Sequence, residues 1–73
     1  MAMPKVSGAE VVKALSRAGF SEVSQKGSHK KMRHSGGYTT IVPMHREVAP
    51  GTLRAIIQQA RLTEEEFLLY LEQ

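Results

Sequence analysis

The chain has 73 residues, of which 41% are hydrophobic and 23% charged, and it contains no cysteine. That length allows one domain (1–73), the composition is that of a folded globular protein, and the missing cysteine excludes disulfides, thiolate metal sites and a cysteine nucleophile. The net charge is only +3, but from Lys26 to Arg46 there are five cations (Lys26, Lys30, Lys31, Arg33, Arg46), all three histidines and no acid, whereas four of the seven acids follow residue 60; this imbalance points to a local anion-facing surface.

Ser7-Gly8-Ala9-Glu10 has the form of a capping box, in which Ser7 accepts from an early backbone N–H and Glu10 reaches back to the Ser7 amide. With Val11, Val12 and Leu15 at helical spacing, it predicts a helix over 8–18. Gly19 suits the left-handed position just beyond, from which Phe20 can return to Leu15.

Three strands are expected next: Phe20 to Lys26, closed by Gly27-Ser28; His29 to His34, closed by Ser35-Gly36-Gly37; and Tyr38 to Pro43. Tyr38, Thr39, Thr40, Ile41 and Val42 are β-favouring, and Pro43 ends the run or sits at an edge. Met44 to Ala49 reads as a loop. Pro50 can open a helix at no cost in hydrogen bonds, and Leu53, Ile56, Ile57 and Ala60 follow at i, i+3, i+4 and i+7. Thr63-Glu64-Glu65-Glu66 is a second capping box, opening a last helix with Phe67, Leu68 and Leu71. The order α-β-β-β-α-α predicts an α+β fold, with helices covering one face of a three-stranded antiparallel sheet and the other face left free. No apolar stretch nears the ~20 residues of a membrane helix. Met1-Ala2-Met3-Pro4-Lys5 holds no apolar core of signal-peptide length. The expectation is a soluble cytoplasmic protein.

Alternation divides the second strand into Lys30, Met32 and His34 on one face and His29, Lys31 and Arg33 on the other. Met32 is the sole apolar residue of the six. If it faces the helices, His29, Lys31 and Arg33 form an exposed row at about 6.6 Å spacing, suited to successive phosphates of a nucleic acid. The bland alternatives are a strand kept soluble by its charges and histidines without a role.

The run Gly27-Ser28-His29-Lys30-Lys31-Met32-Arg33-His34 resembles the signature strand of HicA toxins, the YcfA-like family. Gly19-Phe20, the strand-ending Pro43 and Pro50-Gly51-Thr52-Leu53-Arg54-Ala55-Ile56 extend the resemblance over nearly the whole chain. It implies a double-stranded-RNA-binding-like fold and an endoribonuclease that cuts mRNA and is held inactive by a HicB-type antitoxin. It also implies that His29, preceded by the motif residues Gly27 and Ser28, is catalytic. Lys30 and the Ser35-Gly36-Gly37 turn depart from the family pattern without touching that position.

RNA carries its own nucleophile, the 2′-hydroxyl, so an enzyme must move protons and stabilise charge. Histidine suits the first task and Lys or Arg the second. His29 is therefore read as general base or acid, and Lys31 and Arg33 as phosphate binders, with Lys26 and Lys30 as further candidates. The second proton carrier is left open: His34 is expected to face away, His45 can reach either side, and water can fill the role. No carboxylates cluster with the histidines, so neither metal nor other cofactor is expected. The implied partners are mRNA and an acidic antitoxin over the basic face, with no membrane. Two other readings remain: a non-catalytic double-stranded-RNA-binding module, and a protein-interaction module. A DNA-binding helix-turn-helix is disfavoured because the cations lie on strands.

Overall fold

The computed structural model describes residues 3–73; Met1 and Ala2, the start of the segment read for a leader, lie outside the described residues. Helix α1 (Gly8–Arg17) opens with the expected capping box: Glu10 N–H donates to Ser7 Oγ at 3.1 Å, and Ser7 N–H donates to the Glu10 carboxylate at 3.0 Å. Val11, Ala14 and Leu15 are buried along one side. Ala18 serves as the C-cap, so the helix is one residue shorter than predicted, and Gly19 follows at φ +99°.

Strands β1 (Phe20–Lys26), β2 (His29–His34) and β3 (Thr39–Pro43) form a sheet in chain order, each pair antiparallel. Gly27 has φ +58°, the positive value a two-residue hairpin demands at its first loop position. Tyr38 lies outside β3, contrary to expectation. Its carbonyl still closes the hairpin by accepting His34 N–H at 2.9 Å, while its ring stacks on His34. The β1–β2 register shifts between Glu22 and Ser24, leaving Val23 as an extra residue in a bulge.

Phe20, Met32, Thr40 and Val42 are buried on one face of the sheet. Met32, 1% exposed, points into the core as the alternation required. The energetics leave little choice. Burying Met stabilises by about 1.5–3 kcal/mol, whereas the opposite register would push Lys31 and Arg33 inward at several kcal/mol per ion.

Helix α2 (Pro50–Gln59) buries Leu53, Ile56 and Ile57, and α3 (Glu64–Glu72) buries Phe67 behind a capping box built on Thr63 and Glu66. α1 packs on α3, β1 and β3, and α2 on β3 and α3. Arg17 Nη1 donates to the Tyr70 carbonyl at 2.7 Å, tying α1 to the end of α3. Thr40, the one buried polar side chain among the described residues, donates to Gln59 Oε1 at 2.7 Å and so is satisfied. The result is the expected α-β-β-β-α-α order, an α+β fold with an open three-stranded sheet. No helix among the described residues is long and apolar enough to cross a membrane.

Candidate functional site

The face of the sheet away from the core begins at the β1–β2 turn. His29 is the first residue of β2, immediately after Gly27-Ser28, and it is exposed. Lys31 and Arg33 follow on the same face, both exposed, while Met32 between them is buried. Residues opposite one another in a sheet share a face, so the register fixes their neighbours. Lys26 and Pro43 flank His29, Ser24 and Ile41 flank Lys31, and Ser21 and Thr39 flank Arg33. The outer face therefore carries the cations Lys26, Lys31 and Arg33 beside small polar residues, with Ile41 (45% exposed) and Pro43 as apolar ground next to His29.

Lys30 is not brought into this group. It lies on the helix side of β2, half-buried, with its ammonium 3.3 Å from the Glu22 carboxylate. His34 also faces away, as expected. Its ring stacks on Tyr38 at 4.4 Å and meets Phe20 edge-on at 5.2 Å, and its Nδ1 accepts Gly36 N–H at 2.9 Å.

The segment after β3 closes one end of the face. Met44 N–H donates to the Ser28 carbonyl at 2.5 Å, Gly8 N–H to the His45 carbonyl at 2.9 Å, and Val48 N–H to the Val6 carbonyl at 2.8 Å. Gly8 makes this possible by having no side chain. A Cβ there would run into the Pro43 carbonyl oxygen and come within 2.7 Å of Met44 Cα. The loop is thus pinned at three points, one of them the residue before His29. It forms an open concavity lined by His29, Ile41, Pro43, His45, Glu47, Ala49 and Thr52. Ala49 and Thr52 belong to the start of α2, whose N-cap makes no side-chain hydrogen bond. Among the described residues no three His, Cys, Asp or Glu side chains gather as metal ligands.

Of the residues read from the sequence, His29, Lys26, Lys31 and Arg33 share one face, with Gly27 and Ser28 forming the turn that presents His29. Sequence reasoning did not place Ile41, Pro43 and Glu47 here, and it left His45 free to go either way. For Ile41 and Pro43 a signal existed: alternation through β3 with Val42 inward puts both on the face of His29.

A comparison with curated proteins returned no match. A family model described as "HicA toxin of bacterial toxin-antitoxin" matches residues 8–62, which takes in α1, the whole sheet and α2.

Proposed function

Because this chain belongs to the HicA toxin family, and so is a toxin of the toxin–antitoxin type, we propose that it is an endoribonuclease that cleaves mRNA on the outer face of its sheet. His29 transfers a proton in that reaction. The observation that carries this reading is an exposed imidazole at the head of a cationic strand, with Lys31 and Arg33 beyond it and Lys26 beside it.

The chemistry requires little more. The ribose 2′-oxygen attacks the adjacent phosphorus, the P–O5′ bond breaks, and the products end in a 2′,3′-cyclic phosphate and a 5′-hydroxyl. A proton leaves the 2′-hydroxyl and another reaches the departing 5′-oxygen. An imidazole suits either transfer, and positioned cations stabilise the charge on the phosphorane. Gly27 and Ser28 serve by holding the start of β2 open to solvent. Lys30, engaged with Glu22, is left out of the phosphate-binding set.

The reaction as proposed needs no metal and runs in the cytoplasm, where mRNA is. Purified protein should cleave single-stranded RNA in the presence of EDTA, and His29→Ala should lower the rate by about 10²–10⁴-fold with the fold intact by circular dichroism. Undiminished cleavage by the variant removes His29 from the mechanism. Loss of cleavage in EDTA with recovery on adding Mg²⁺ removes the metal-independent reading. Binding of double-stranded RNA with no cleavage under any condition would instead favour a non-catalytic binding module.

The same face suits a HicB-type antitoxin that presents acidic groups over Lys31 and Arg33 and shuts RNA away from His29. Complementary charge speeds such an encounter. Lys31→Glu should therefore slow association with such a partner, and an unchanged on-rate would move the antitoxin to another surface.

A further inference from the structure

The reaction proposed above moves two protons, and a single imidazole does not serve both ends of one in-line displacement. We propose that His45 is the second proton carrier, giving its proton to the departing 5′-oxygen while His29 takes the proton of the 2′-hydroxyl. This inference rests on the endoribonuclease reading of the same face.

Three observations lead to His45. First, His45 and His29 line one concavity, the first coming from the loop after β3 and the second from β2, and both residues are exposed. The third histidine, His34, is committed to its aromatic stack and to Gly36. Second, the backbone holds the two together. Pro43 is the register partner of His29, and Met44 N–H bonds the carbonyl of Ser28, so each ring sits one residue from a shared hydrogen bond. The bond from Gly8 N–H to the carbonyl of His45 fixes the loop from its other side. A pair held by backbone contacts is positioned before substrate arrives, which is where much of the advantage of proximity comes from. Third, the charged groups divide the roles. Lys26 and Lys31 flank His29, whereas Glu47 faces the concavity beside His45. Cations beside His29 can stabilise the charge that develops at the attacked phosphate, which leaves the departing oxygen to the residue contributed by the loop. Other charged groups on the elements around the loop are Arg46 next to His45, Lys5 on the segment that receives Val48, Glu10, which is engaged in the capping box of α1, Lys13 and Arg17, which line a concavity with Leu71, and Arg54, which lines another with Leu62 and Thr63.

In the step itself, the 2′-O–P bond forms as the P–O5′ bond breaks, His29 gains a proton and His45 loses one. Solvent then returns both rings to their starting states, so no net proton, electron or co-reactant is consumed.

The test uses His45→Ala and His45→Gln, both of which keep the backbone tethers because the His45 carbonyl, not its ring, meets Gly8. With ordinary RNA, both variants should lose about 100-fold or more in kcat with KM largely kept. The wild-type pH–rate profile should be bell-shaped. His45→Ala should lose the alkaline fall, and His29→Ala the acidic rise. The decisive arm is a substrate whose bridging 5′-oxygen is replaced by sulfur, a leaving group that needs no protonation. It should restore cleavage by His45→Ala to near the wild-type rate and leave His29→Ala slow. If His45→Ala cleaves ordinary RNA like wild type while His29→Ala does not, or if the sulfur substrate fails to rescue it, the assignment of His45 is wrong and the endoribonuclease reading stands. If both variants cleave ordinary RNA like wild type, the reaction lies elsewhere on the protein, and the assignments of His29 and of His45 both fall.

Discussion

Strand β2 begins and ends with a histidine, and its two ends have been put to different uses. At the far end, His34 lies in a stack with Tyr38, edge-on to Phe20, and its Nδ1 accepts the Gly36 amide. Arg61 completes the assembly, its guanidinium 4.5 Å from the centre of the Tyr38 ring. At the near end, His29 is exposed beside Pro43 and the concavity. Residue type and strand are the same; what differs is the face and what the neighbours leave unoccupied. An imidazole packed between rings and hydrogen-bonded to the backbone contributes to stability, whereas one presented among cations is free to meet a substrate.

The largest effects should come from exchanging the two. His29→Ala is expected to lower cleavage by about 10²–10⁴-fold and leave stability within about 0.5 kcal/mol, since the substitution is at an exposed position. His34→Ala should do the reverse. Losing its aromatic contacts and its hydrogen bond costs about 2 kcal/mol, which for a domain this small lowers Tm by roughly 10 °C. Below that temperature, cleavage per folded molecule should be unchanged. Thermal melts paired with cleavage assays on both variants check this. A His34→Ala protein that melts like wild type but no longer cuts would overturn the division.

Much of this was legible in the sequence, for reasons that can be located. The capping boxes at Ser7 and Thr63 and the turn at Gly27-Ser28 are local, so short spacings reveal them. The orientation of β2 followed from Met32 alone, because a methionine on one face weighed against Lys31 and Arg33 on the other admits only one facing. What stayed hidden depends on contacts distant along the chain. Nothing near Gly8 in sequence announces that its missing side chain makes room for Pro43 and Met44, or that its amide holds the carbonyl of His45. The partnership of Thr40 with Gln59 is of the same kind. The outward placement of Ile41 and Pro43 was available from alternation in β3, but a run of uniformly β-favouring residues gives no polar–apolar contrast to reveal it. The loop carrying His45 has no periodicity, so only its three tethers determine which way it turns.

A finer contrast lies within β2, between adjacent lysines on opposite faces. In a His29→Ala background, where RNA survives for binding measurements, Lys31→Ala and Arg33→Ala should each weaken affinity and flatten its dependence on log salt by about 0.7, the expected value for one phosphate contact to a single strand. Lys30→Ala should leave that slope untouched, because its ammonium is turned to the helix side and held by Glu22. Its cost should appear instead in stability, and should be small: an ion pair with a half-exposed partner contributes about 0–1 kcal/mol. Should Lys30→Ala flatten the slope as much as Lys31→Ala does, RNA would be engaging both faces of the strand, and the separation of a binding face from a packed face would not describe how this sheet meets its substrate.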